Sequence, residues 1–323
     1  MKTPLQRLVL PVLLAVGLVH AAVSEKYSDS ESTPYFSLMP KAFQSKPRID
    51  MTVFTTVTDA GRLVAPASPE HPVYYVVHPA GYREFGESYA GVHQPPTADL
   101  ERVMRKALAS QGYLPATDAA HRPSLLVVFT WGMHNRLDPI TASLSPEAKA
   151  RNILERATLV GGNGFASRVR QAFEEHAMSQ LSGGDAIFYL LDPVYRLTNQ
   201  DTKMQYLMYQ IYDDVYFVIA SAYDYAAVAQ GQPTLLWRTN MTVNTAGVNM
   251  KETLPPLIAT AAPFFGRETA GTEALQRRID RKGQVEIGQP TVVEYLDSST
   301  SAATTAPTDK PAQNAPKAEA TKP

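Results

Sequence analysis

The chain reads as an α/β (or α+β) fold: a mixed β-sheet with one β-α-β unit, a later antiparallel hairpin and a helical insertion. Three stretches carry that reading. Residues 73–78 (VYYVVH) and 125–131 (LLVVFTW) flank an amphipathic segment. That order is strand, helix, strand, which implies a parallel pair joined by a right-handed crossover. Residues 235–243 alternate apolar and polar side chains, the period of a strand with one buried face.

Taken in order, the chain opens with Lys2 and Arg7, an apolar run over residues 8–19, and then Val19-His20-Ala21. A positive zone, an apolar zone and small residues before a cut are the marks of a secretory signal. The expected signal peptide is 1–21, its apolar run being shorter than the roughly 20 residues a membrane-spanning helix needs. An uncleaved anchor is the alternative. No cysteine stands at the cut, so no lipid anchor is expected there. The product is expected in the periplasm or outside the cell, with no transmembrane segment after cleavage.

Residues 22–70 are polar and proline-rich, with one strand candidate at 51–57. A single mixed α/β domain is expected over 71–297. Its first strand, 73–78, is β-branched and aromatic, and a loop with Gly81, Gly86 and Gly91 follows. Thr97 is placed to cap a helix whose Leu100, Val103, Met104, Ala107 and Leu108 share one face. Gly112 sits where a helix ends. The unbroken apolar run at 125–131 suits a strand buried on both faces.

A polar insertion spans about 137–204. Ser145-Pro146-Glu147 starts one helix, with Ala150, Ile153, Leu154 and Ala157 as its stripe. Gly161-Gly162-Asn163-Gly164 ends it, and Phe165, Val169 and Phe173 line the next. Strands return at about 206–225 and at 235–243, across a turn at 230–233. A helix near 250–262 is expected to be interrupted by Pro255-Pro256, and a last strand falls at 291–295. Residues 298–323 hold no aromatic residue and no Leu, Ile or Val, a composition that reads as a disordered tail.

Charge and composition exclude several functions. Loss of 1–21 takes Lys2 and Arg7 from 30 basic residues, leaving 28 against 31 acidic ones, a net of −3. A near-balanced chain without a basic stripe is not a nucleic-acid binder. There are no cysteines, hence no disulfides, thiolate nucleophiles or cysteine metal sites. The Gly161–Gly164 stretch lacks a leading strand and a following Lys-Ser or Lys-Thr, so neither nucleotide fingerprint is met and a helix–helix turn is the reading. Gly-x-Ser-x-Gly and His-Glu-x-x-His are both missing. His71, His78 and His93 are loosely spaced and no metal or cofactor is expected; His176 reads as a packed, hydrogen-bonded histidine.

Two features remain. Eight of the sixteen tyrosines lie between Tyr189 and Tyr225, either as strand residues or as a binding face. Ligands of open α/β sheets favour the carboxyl ends of parallel strands. Those ends are His78 and the segment from Trp131 to Arg136. An antiparallel strand through Tyr216 would bring Asp213 and Asp214 beside His134, with Asn135 and Arg136 adjacent. A His next to a carboxylate can act as an oriented base; a solvated loop with ordinary salt bridges is the competing reading.

Pro96 to Leu100 opening a helix, Gly112-Tyr113 closing it, Pro123-Ser124-Leu125-Leu126-Val127 entering a strand, and Leu235-Leu236-Trp237-Arg238 after a hairpin form a pattern. It resembles a family of uncharacterised bacterial envelope lipoproteins with a small β-α-β domain of unknown function. The likeness covers about 70–135 and 213–265. The lipid-bearing Cys is missing here and the long insertion is extra. The resemblance implies an envelope location and a non-enzymatic role, and transfers no catalytic residue.

Three function classes follow: an exported, non-enzymatic protein that binds an envelope protein or cell-wall component, a periplasmic small-molecule or glycan binder using the tyrosine-rich face, and a hydrolase using His134 with Asp213 or Asp214.

Overall fold

The computed structural model describes residues 39–88, 92–181 and 192–281. The signal reading at 1–21, the strand at 291–295 and the tail at 298–323 lie outside the described residues. Among the described residues seven strands form one sheet: β1 (Arg48–Val57), β2 (Val73–Phe85), β3 (Tyr113–Pro115), β4 (Leu125–His134), β5 (Val215–Asp224), β6 (Leu235–Asn244) and β7 (Glu273–Arg278). Their order is β3-β2-β4-β5-β6-β1-β7. β2 runs parallel to β3 and β4, and every other pair is antiparallel. The helices are α1 (Asp59–Arg62), α2 (Thr97–Ala109), α3 (Pro139–Leu144), α4 (Pro146–Leu181), α5 (Pro193–Thr198), α6 (Thr202–Tyr212), α7 (Tyr225–Ala229) and α8 (Met250–Ala261). This is an α/β fold with a mixed sheet. Among the described residues no helix is long and apolar enough to cross a membrane.

The strand candidate at 51–57 begins earlier, at Arg48, and lies inside the sheet between β6 and β7. Ile49, Met51, Val53 and Val57 alternate onto one face, which explains why a segment that is polar on average still joins the core. β2 outruns its expected end at His78. A bulge leaves Ala80 unpaired, so that Pro79 faces Phe129 and Gly81 faces Thr130. Gly81 takes φ 88°, a conformation glycine adopts without strain, and the strand continues through it to Phe85.

One sheet face carries the main core. α2 sets Leu100, Met104 and Leu108 against it, and α8 sets Leu254, Leu257 and Ile258 beside them. They pack on Val127, Phe129, Trp131, Val218 and Met241; each such side chain contributes roughly 1.5–3 kcal/mol by leaving water. Pro96, not Thr97, holds the N-cap position of α2, without a side-chain cap. α8 is not interrupted by Pro255 and Pro256. Each proline loses one bond to the carbonyl four residues back, but a capping box of Asn249 and Glu252 secures the start.

The other face is covered at one end only. There the insertion lies over β6 and β1, so the polar side of β6, expected in solvent, is buried at Asn240, Thr242 and Asn244. The Thr52 and Thr242 hydroxyls bond to each other beneath it. At the opposite end Thr56, Val76, His78 and Arg238 are exposed. β4 is thus buried on both faces only in its second half.

Within the insertion, α4 comprises two helical arms meeting at Gly162, which has φ 74° and ψ −177°, a region open essentially to glycine alone. Residues at matching distances from Gly162, such as Leu154 with Arg170 and Glu147 with Ala177, line the same groove, so the arms fold back on each other. This is the helix–helix turn read at Gly161-Gly162-Asn163-Gly164. Residues 206–212, expected as strand, are helical in α6. Asp201 caps its start, and Met204, Leu207, Met208 and Ile211 recur at helical spacing to pack on Ile153, Ala157, Val160 and Val169.

Candidate functional site

β4 and β5 end at the same sheet edge because His134 and Val215 are register partners. The edge holds His134, Asn135, Arg136, Asp213 and Asp214, as the topology predicts. Two other sequence candidates are elsewhere. Trp131 is three residues from His134, an odd step along a strand, so it faces the opposite side. It is 2% exposed and stacks on Phe129 in the main core, with ring centroids 5.6 Å apart. His78 lies opposite Val128, in mid-strand on the uncovered end of the sheet, because β2 continues beyond the bulge.

The two aspartates serve the loop rather than the imidazole. Asp214 Oδ1 accepts from the Arg136 backbone N–H at 2.6 Å and its Nε at 3.4 Å. Asp213 Oδ2 accepts from Asn244 Nδ2 at 2.9 Å, and its Oδ1 lies 3.7 Å from Arg136 Nη1. The carboxylate that His134 meets comes from α4: Glu155 Oε2 is 3.3 Å from Nε2. On the other side Nδ1 is 3.3 Å from the Asn135 carbonyl oxygen. His134 is 1% exposed and its ring lies against Phe85.

Both oxygens beside His134 are acceptors, and a neutral imidazole has a single N–H to give. Only the imidazolium satisfies both. Burial first, and the Arg156 guanidinium second, nevertheless hold the ring's pKa below its ordinary 6.5, against the pull of Glu155. The neutral form is thereby favoured, with one N–H for the two oxygens, and the Asn135 carbonyl is served in addition by Arg156 and Asn152.

Arg156 is the centre of the junction. Its side chain is 2% exposed and forms no salt bridge among the described residues. Nε donates to the Ile211 carbonyl at 2.7 Å, and Nη1 donates to the Asn135 carbonyl at 2.9 Å and Asn152 Oδ1 at 2.6 Å. Ile211 lies in the last turn of α6, where unpaired carbonyls and the helix dipole favour a cation. Burial lowers the guanidinium pKa to about 10, so the group stays charged at neutral pH. Asn152 Nδ2 adds a bond to the Asn135 carbonyl at 3.0 Å. Sequence reading missed Asn152, Glu155 and Arg156. Their signal was the helical spacing of 152 and 156 on the flank of the apolar stripe, which places Arg156 against protein.

Glu155 also reaches the surface, on the rim of a groove between the two arms of α4. The groove encloses about 570 Å³. Ala150, Leu154, Phe173 and Ala177 supply its apolar wall, and Glu147, Arg151, Glu155, Arg170 and Glu174 its charged rim. α6 packs against residues facing the other side of the same two arms. α5 adds Val194 and Leu197 to that cluster, so α5 and α6 cover the inner side of the arms and the groove is left on the outer side.

No protein-family model matches the chain, and no curated protein matches it.

Proposed function

We propose that this chain is an exported, non-enzymatic interaction protein whose helical insertion docks an amphipathic helix of an envelope partner. The observation that carries this reading is the open groove between the arms of α4. Ala150 and Ala177 are small enough for close helix approach, while Leu154 and Phe173 offer ridges to pack between. Rim charges of both signs suit the flanks of a helix with an apolar stripe, as flanking charges do in coiled coils. Burial of His134, and engagement of Asp213 and Asp214 with Arg136 and Asn244, favour structure over catalysis at the sheet edge. Export is supported by the charged, apolar and small-residue order of residues 1–21 and by the resemblance to envelope lipoproteins.

A photo-crosslinking residue in place of Thr158, within the groove, tests the reading in intact cells. The expected result is one discrete adduct, lost when Leu154→Glu is added and not formed from Arg102 on the exposed face of α2. An adduct of twice the chain's mass would identify a second copy as the occupant and overturn the partner reading. The absence of any adduct from Thr158 or Ala177 would overturn docking altogether.

A further inference from the structure

We propose a second binding site, for a short neutral saccharide, in the cavity between the second arm of α4, α5 and the end of α6. This site does not depend on the groove; the two share only Phe173. The cavity holds about 470 Å³, within the range of small-ligand sites.

Its walls are rings from three elements: Phe173 of α4, Tyr195 of α5 and Tyr212 of α6. A pyranose presents apolar C–H faces to such rings and a perimeter of hydroxyls, each donor and acceptor at once. The polar groups are placed for that perimeter. Asn199 Nδ2 donates to the Tyr195 carbonyl at 2.9 Å, which orients the amide and leaves Oδ1 as an acceptor. The Tyr212 hydroxyl has no hydrogen-bond partner among the described residues and belongs to a side chain 40% exposed. Burial, then the nearby Asp192 charge, raises its pKa, so it remains a neutral donor.

Among the described residues the acidic group of the wall is Asp192, and it is committed within the protein. Asp192 Oδ1 accepts from the Tyr195 backbone N–H at 2.9 Å, and Oδ2 pairs with His176 Nδ1. That pairing fixes the imidazole ring and engages both carboxylate oxygens. Among the described residues the wall then offers rings, an amide oxygen and a hydroxyl to a ligand, groups that suit a neutral polyol. Among the described residues no set of three His, Asp or Glu side chains is grouped to hold a metal. His176 and Asp192 thus reach each other across sixteen residues, a pair that nothing in their spacing announces.

Saturation-transfer NMR on the full chain tests the site with glucose, N-acetylglucosamine and maltose, and with glucuronate and indole as charged and aromatic controls. Transfer to the ring protons of at least one neutral sugar is expected. Tyr212→Ala and Asn199→Ala should each weaken that binding about tenfold, while Arg102→Ala on the exposed face of α2 leaves it unchanged. No transfer to any neutral sugar would overturn the proposal. So would sugar binding that survives both Tyr212→Ala and Asn199→Ala, or a preference for glucuronate or indole.

Discussion

Glu155, rather than Asp213 or Asp214, is the carboxylate that meets His134, with Oε2 3.3 Å from the buried Nε2. The contact joins the end of β4 to the first arm of α4, so the protonation of one ring bears on how the insertion sits on the sheet.

Acidification should therefore destabilise the fold through His134. Its folded pKa lies below the 6.5 of a free imidazole, burial being the first cause and Arg156 the second. Between those two values the unfolded chain binds a proton that the folded chain refuses. Stability thus rises with pH across this window and is lost as pH falls through 6.5 toward the folded value. Each unit of separation is worth about 1.4 kcal/mol. Urea unfolding of wild type and His134→Asn, compared at neutral and mildly acidic pH, should show the smaller acid loss in the variant. Parallel losses in the two proteins would contradict this account.

Removing the Arg156 side chain should cost more than an average substitution. Arg156→Ala strips the Ile211 carbonyl of its partner, weakens the hold on Asn135 and leaves a void. The expected loss is about 2–4 kcal/mol, read as a lower urea midpoint at an unchanged slope. Arg156→Lys keeps the charge but not the fork that serves three acceptors, and should recover only part of the loss.

The hairpin turn gives a paired prediction on neighbouring glycines. Gly162 sits at φ 74°, and a Cβ there would stand 3.0 Å from Phe54 Cε2. Gly162→Ala should destabilise by about 1–3 kcal/mol. Gly164 has nothing within 4 Å of an added Cβ and takes an ordinary helical conformation. Gly164→Ala should stabilise by roughly 0.5–1 kcal/mol. Thermal unfolding of the two variants should move in opposite directions.

Thr52 and Thr242 offer a cycle in the buried polar layer, where their hydroxyls bond to each other at 1% and 0% exposure. Either Thr→Val change alone leaves a buried hydroxyl unpaired and should cost about 1–3 kcal/mol. The double variant replaces both partners with apolar groups of similar shape and should lie near wild type. Additive losses in the double variant would show that the pair is not coupled.

Much of the sheet was legible because local patterns decided it. The period-two face of β6 and the apolar runs of β2 and β4 name themselves, and the amphipathic α2 between the latter fixes their parallel pairing. Three features were not legible, each for a separate reason. Residues 206–212 are aromatic enough to look like strand, yet Met204, Leu207, Met208 and Ile211 obey the helical period. The polar face of β6 looks solvated until a distant insertion covers it. Asp213, Asp214 and His134 do share an edge, but topology brings residues to an edge without saying which side chains turn toward each other. Glu155 and Arg156 come from the first arm of α4; the spacing of 152 and 156 places Arg156 against protein, but nothing along the chain says which sheet residues it meets.

The register pairing of His134 with Val215 sets an order of events during folding. All of residues 135–214 must be spanned before β4 can zip onto β5. Closing about 80 residues of open chain carries a loop entropy that a tight turn avoids, though it grows only slowly with length. Formation of the α4 hairpin shortens that gap in advance, since the two arms meet across a turn at Gly162, and docking on α6 then closes the rest. The insertion then works as a clasp that delivers two strand ends to each other. Damage to its packing would delay assembly of the central sheet, even at positions that no strand residue touches.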